Sequence, residues 1–167
     1  VGDHYVGMGR ALYQTEAVFR QWVDRCCDLL EPQLGVDLRD LLYPDRGKVL
    51  PMPPVAASKL NLRQLMTPPE ESSPLQETRL AQPVTFVVEY AVAQLLFSWG
   101  IKPKAMAGYS LGEYVAACLA GGMSLEDALK LVAERAKLID ELPAGGMLTV
   151  SLSEEEVHPY LNEAISL

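Results

Sequence analysis

Apolar side chains recur at helical spacing from about Arg10 to Leu30. Leu12, Val18, Phe19, Trp22, Val23, Cys26 and the Leu29–Leu30 pair share one face, with Arg20, Asp24, Arg25 and Asp28 on the other. That period predicts an amphipathic helix with one side in a core. A second, short helix is expected over Leu38–Leu42, stopping before Pro44, because a residue preceding proline is pushed out of the helical region. The pattern then lapses. Between Pro44 and Pro83 prolines stand at 51, 53, 54, 68, 69 and 74, and Glu70-Glu71-Ser72-Ser73 has no periodicity. This reads as a surface excursion over about 44–77 within one domain. Helix resumes at Pro83, a residue suited to a first helical position. Val84, Val87, Val88, Ala91, Val92, Leu95 and Leu96 make it apolar on most sides, so it is expected to be buried, with Gly100 as a left-handed cap.

Beyond Pro103 the small, apolar run Lys104-Ala105-Met106-Ala107-Gly108 fits a central strand closely approached by other backbone. A helix is expected from Leu111 to Leu119. Another starts after Ser124, an N-cap candidate with Asp127 three residues on, and runs to about Leu142. Pro143 and Gly145-Gly146 stop it. Met147–Leu152 alternates as a strand, Ser153-Glu154-Glu155-Glu156 opens an acidic-started helix, and Ile165-Ser166-Leu167 reads as the start of a further strand. Helices alternating with strands place the chain in the α/β class.

At 167 residues the chain suits one core rather than two. A hydrophobic share of 49% with 22% charged residues is that of a globular protein, and equally of a piece whose buried face is completed elsewhere. The net charge of −8 argues against nucleic acid or an anionic membrane as partner, since both need a basic face. It leaves room for a small anionic substrate, which needs only one well-placed Arg. Cys26 and Cys27 are adjacent and Cys118 lies in an apolar helical run, so neither a disulfide framework nor a CxxC metal pattern is present, and no metal or cofactor is expected. No run approaches the ~18 consecutive apolar residues of a spanning helix. The expectation is a soluble, cytoplasmic protein.

Gly108-Tyr109-Ser110-Leu111-Gly112 has the form GxSxG, between an expected strand and an expected helix. In that setting the pattern is a nucleophile elbow, a sharp turn that lifts the Ser110 hydroxyl clear while glycines remove side chains that would clash. The Leu111 N–H at the helix start is placed to donate to an oxyanion formed when Ser110 attacks an acyl carbonyl. A helix N-cap is the alternative for Ser110, but flanking glycines, each costing ~1 kcal/mol inside a helix, are wasteful there. Glu113 either complements the helix dipole or fixes the elbow.

Gly108-Tyr109-Ser110-Leu111-Gly112-Glu113-Tyr114 resembles the GHSxGEY box of malonyl-CoA:acyl-carrier-protein transacylases and of polyketide synthase acyltransferase domains. Tyr5-Val6-Gly7-Met8-Gly9 is similar to the segment after that family's GQGxQ loop. Thr78, Ala81, Gln82 and Pro83 resemble its TxxxQP signature, and Ser124–Leu129 with Arg135 resemble the helix after the elbow. The resemblance covers nearly the whole chain in order, outside the Pro-rich excursion. It implies the N-terminal portion of an acyltransferase domain: a partial α/β-hydrolase-like large subdomain over 1–144, then the beginning of a ferredoxin-like small subdomain over 145–167.

The activity implied is ping-pong transfer, in which Ser110 takes an acyl group from an acyl-CoA and yields it to the phosphopantetheine thiol of an acyl carrier protein. Neighbouring synthase domains are the other implied partners. Arg135 holds the family's position for the arginine that binds a malonyl carboxylate, and a planar guanidinium suits that fork. Without the resemblance it reads as an exposed arginine beside Glu134. Gln82 is implied to line the site, with capping of the following helix as a lesser role. Leu111 after the serine matches members that use malonyl rather than methylmalonyl units.

Three features depart from the family. Tyr109 replaces the His before the nucleophile, which bears on acyl choice. Val1 falls where the oxyanion-loop Gln belongs, so that only a backbone N–H serves there, and His4 falls on that loop's second Gln. The family's general base is a His downstream of Leu167, while this chain has His4 and His158. His158 reads as a surface residue and His4 as a remote alternative base. The rival readings are a serine esterase or thioesterase, which passes the acyl group to water, and a degenerate acyltransferase kept as a docking element.

Overall fold

The amphipathic pattern of the first thirty residues becomes two helices in the computed structural model, which describes residues 4–46, 77–143, 145–146 and 148–167. Helix α1 spans Arg10–Thr15 and α2 spans Ala17–Leu34. They part at Glu16, whose φ of −104° and ψ of 105° are extended. Glu16 N–H donates to Leu12 O at 2.8 Å and Glu16 O accepts from Arg20 N–H at 3.0 Å, so this residue ends one helix and opens the next. The apolar face runs across the break. Leu12 packs on the same core that Phe19, Val23, Cys26, Cys27 and Leu30 fill. Burial pushes the Cys26 thiol up to about 12, and raises Cys27 and Cys118 as well.

Helix α3 covers Leu38–Leu42, as the pattern predicts. Asp37 caps it by accepting from Arg39 N–H at 2.9 Å. Asp37 also takes Arg39 Nε at 2.8 Å and Arg46 Nη1 at 3.3 Å, while Arg39 Nη2 reaches Asp28 on α2 at 2.7 Å. Burial alone would raise the Asp37 carboxyl, but the hydrogen bonds from Arg39 and Arg46 outweigh it and hold the group below its ordinary value. The Pro-rich excursion from 47 to 76 lies outside the described residues.

Helix α4, Thr78–Ser98, begins before Pro83 rather than at it. Leu80 and Ala81 N–H groups both bond Glu77 O at 2.9 Å, so the first turn forms upstream. Pro83 forgoes its own bond one turn back, and burial of its ring in the core compensates. The remaining buried side chains, among them Leu80, Val84, Phe86, Val87, Ala91 and Leu95, pack against α2 and against α6, Leu125–Asp140. By length and a mean hydropathy of 1.4 alone, α4 would suit a membrane span; 56% of that stretch is buried, packed against α2 and α6. Gly100 closes the helix at φ +83°, with Gly100 N–H on Phe97 O at 2.9 Å and Ile101 N–H on Leu96 O at 3.2 Å.

Helix α5 spans Gly112–Leu119, one residue shorter than expected, and contacts α4 and α6. Ser124 caps α6 by accepting from Asp127 N–H at 3.0 Å, and α6 buries Leu125, Ala128, Leu129, Val132, Ala133 and Ala136. It ends at Asp140 rather than Leu142, ahead of Pro143. A capping box between Ser153 and Glu156 starts the short α7, Glu154–Val157, followed by a 3-10 turn over His158–Tyr160.

The expected strands are corrected. Residues 104–108 carry no regular hydrogen-bonding pattern and form no ladder with any described residue, and the same holds for 148–152, Met147 lying outside the described residues. The bridge seen among the described residues is antiparallel, Asn162 with Ile165. A strand takes its hydrogen bonds from neighbours, and no described residue stands beside 105–108 in that role. The described residues therefore show the helical part of the α/β expectation and not its sheet.

Ser124→Ala should lower stability by about 1 kcal/mol, read as a reduced urea midpoint at unchanged slope, with Ser124→Asp close to the parent.

Candidate active site

The run from Ile101 to Ala107 enters a tight turn at Gly108-Tyr109-Ser110-Leu111 and leaves it as α5. Three consecutive short-range bonds wind the turn: Gly112 N–H to Tyr109 O at 3.0 Å, Glu113 N–H to Ser110 O at 3.2 Å and Tyr114 N–H to Leu111 O at 3.0 Å. Ser110 has φ +52°, the left-handed region, where among the described residues every other member is glycine. Such a conformation costs of order 1–3 kcal/mol in a non-glycine residue and persists where its surroundings impose it.

Those surroundings are identifiable. A Cβ on Gly108 would lie 2.1 Å from both Glu113 N and Gly112 C, so the incoming chain passes directly against the first turn of α5. Glu113, an acid in the first turn of α5, closes the loop by accepting from Gly108 N–H through Oε1 at 3.0 Å, which gives it a part in fixing the elbow. Leu111, 2% exposed, anchors the turn in the core, while Ser110 is exposed and Tyr109 is 85% exposed. The Leu111 N–H sits at the N-terminal end of α5, where backbone donors face outward. The strand-turn-helix expectation thus holds for the turn and the helix.

Gln82 and Arg135, far apart in sequence, are brought together: Arg135 Nη1 donates to Gln82 Oε1. Gln82 lies inside α4 and does not cap it, which removes its lesser role. Arg135 packs its guanidinium 5.7 Å from the centroid of the Tyr114 ring. Among the described residues it has no carboxylate partner, unlike Arg39, which is surrounded by Asp24, Asp28 and Asp37. Val1 lies outside the described residues. His158 is exposed on the 3-10 turn after α7, in keeping with a surface role, and His4 is half-buried ahead of α1.

A groove of about 490 Å³ runs beside the elbow between α4 and α5, lined by Leu96, Phe97, Met106, Tyr109 and Val115 among others. Its walls are mainly apolar, and Glu89 of α4 stands in them. Partial burial raises the Glu89 carboxyl above its ordinary value. The hydrophobic pattern does not mark Glu89 and gives Tyr114 no role beyond the motif. The available signal for Glu89 is a lone acid within an otherwise apolar helix turn, Val87-Val88-Glu89-Tyr90-Ala91.

Residues 2–166 match the family described as Acyl transferase domain. The chain belongs to the acyl transferase domain family. It is 34% identical over 166 residues to a subunit of the phenolphthiocerol/phthiocerol polyketide synthase of Mycobacterium tuberculosis, covering 99% of this chain and 10% of that protein. It is 39% identical over 161 residues to polyketide synthase GfsB of Streptomyces halstedii, covering 96% and 2% respectively. The chain therefore spans a small part of each of these relatives. Among solved structures, the acyl transferase domain of ZmaA superposes with a TM-score of 0.74 at 44% identity, over 95% of this chain and 32% of that one. The malonyl CoA-acyl carrier protein transacylase of Clostridium perfringens gives a TM-score of 0.65 at 25% identity, over 95% and 42%. The fold is that of acyltransferase domains.

Because backbone rather than a flexible side chain fills the space, Gly108→Ala should cost about 3 kcal/mol or more. Thermal unfolding checks it, and an unchanged midpoint would show that the turn relaxes freely.

Proposed function

We propose that Ser110 is the acyl-accepting nucleophile of an acyl-CoA:acyl-carrier-protein transferase, with malonyl-CoA as donor. The observation that carries this reading is the left-handed backbone of Ser110 at the turn into α5, an arrangement held by Gly108 and Glu113 with no role in packing the exposed serine itself. Ser110 Oγ attacks the thioester carbonyl and the coenzyme A thiolate leaves. The resulting ester is then attacked by the phosphopantetheine thiol of a carrier protein, which regenerates Ser110. The Leu111 N–H stabilises the oxyanion, and the backbone of Val1 is assigned the second donor position. The base that accepts the Ser110 proton is assigned to the histidine that the resemblance places after Leu167.

Arg135 supports a carboxylated acyl group. Its guanidinium is half-buried, held at one corner by Gln82 and unpaired with any acid among the described residues. A charge in that setting is completed by an anionic ligand, and a carboxylate fits its donor geometry. Tyr109, in place of the family's His, lines the groove beside the elbow and is assigned to acyl selection. The polyketide synthases among the relatives support a carrier protein and neighbouring synthase domains as partners, and a cytoplasmic location belongs to the same proposal. No observation favours the docking-only reading. A hydrolase shares the elbow, and acyl-enzyme lifetime separates it: fast thiol transfer with slow hydrolysis marks the transferase.

In the full-length protein, Ser110→Ala should abolish the malonyl mass adduct formed with malonyl-CoA, and survival of the adduct would reject Ser110. Arg135→Ala should reduce malonyl loading about tenfold or more relative to acetyl loading, the size of one lost charge-assisted hydrogen bond. Equal losses on both donors would remove Arg135 from carboxylate recognition.

A further inference from the structure

Arg135 is approached from two other helices besides its own. Ala128, Leu129, Val132 and Ala136 fix α6 in the core, which settles where the arginine leaves the backbone but not where its long side chain ends. Gln82 of α4 takes one Nη1 hydrogen. Tyr114 of α5 offers its ring, with the guanidinium carbon 5.7 Å from the centroid, within the range of a cation–π contact. The ring is itself partly buried against the core, so it is a fixed surface rather than a mobile one. It also belongs to the turn that holds the elbow, since Tyr114 N–H donates to Leu111 O at 3.0 Å.

Resting on the roles given above to Ser110 and Arg135, we infer that Tyr114 is a positioning residue that ties the carboxylate-binding guanidinium to the helix turn carrying the nucleophile. A malonyl thioester has two fixed points, the carbonyl attacked by Ser110 and the free carboxylate. Gln82 alone anchors Arg135 to α4, which leaves its distance from the elbow to the packing of separate helices. The Tyr114 ring adds a link through α5, so the two recognition points move together. The ring engages the guanidinium through its π face and leaves other N–H donors for the ligand. A residue needed there only for bulk would not have to be aromatic.

The test measures Ser110 acylation by rapid-quench mass spectrometry of the full-length protein, with malonyl-CoA and acetyl-CoA as donors. Tyr114→Leu should lower the malonyl-to-acetyl ratio of kcat/KM about fivefold, mainly through KM for malonyl-CoA, and Tyr114→Phe should restore that ratio. In an Arg135→Ala background, Tyr114→Leu should shift the ratio less than about twofold, because its partner is already gone. Should Tyr114→Leu fail to fold, Tyr114→Met keeps comparable bulk without a ring and is judged by the same criteria. Equal losses on both donors, an unchanged ratio, or a Phe variant as impaired as Leu would overturn the inference. The Arg135→Ala single variant separates the two levels. If it discriminates between donors and Tyr114→Leu does not, the Tyr114 role alone fails; if it does not discriminate, the carboxylate reading fails first.

Discussion

The close passage of residue 108 against the start of α5 governs the site. Backbone atoms of residues 112 and 113 occupy the place where any side chain at 108 would stand, 2.1 Å from its Cβ position. That contact forces the chain to reverse within the next few residues, and the reversal puts Ser110 into a backbone region otherwise occupied by glycines among the described residues. Glu113 then locks the closed loop by holding the Gly108 N–H. One polar link and one missing side chain thus generate strain at a single exposed serine, and the buried Leu111 prevents the turn from rotating to relieve it.

The same helix start serves a second purpose. Helix α5 is short and contributes few core residues, yet it touches both α4 and α6. Between those helices Arg135 is gathered inward by Gln82 and Tyr114. The contrast with Arg39 is informative. There, three acids neutralise an arginine in a structural role, with the Asp37 hydrogen bond the largest influence holding it charged. Arg135 has a polar amide and an aromatic face, which orient a cation without neutralising it.

Helical faces were legible in the sequence because burial selects apolar residues at a fixed period, and α2, α3 and α6 follow their patterns closely. Caps at Ser124 and Gly100 were legible because helix ends favour a side chain that takes an orphan N–H or a residue free to turn left-handed. Boundaries set by competing local preferences were not. Glu16 interrupts a continuous apolar stripe without any Gly or Pro to announce it, and Pro83 sits inside a helix whose tertiary contacts outweigh the lost hydrogen bond. Small, apolar residues at Lys104–Gly108 suit a strand, whereas a ladder depends on partners that no local pattern specifies. At the candidate site, the turn at Ser110 and Leu111 is legible from the GxSxG spacing, whereas spacing leaves the role of Glu113 open. The meeting of Gln82, Tyr114 and Arg135 is not legible, since it depends on how three helices pack.

The cysteines carry a consequence for chemical selectivity. In the proposed acyl transfer, any accessible thiolate in the chain would compete by transthioesterification and strand acyl groups on sulfur. Cys118 lies on α5, the helix that begins at the elbow, and Cys26 and Cys27 lie across the core on α2. All three side chains are buried, and burial raises each above the ordinary thiol range, so the nucleophilic thiolate is scarce at neutral pH. The hydrophobic core therefore acts as a protecting group for sulfur and, in the proposed transfer, leaves the exposed Ser110 oxygen as the acyl acceptor.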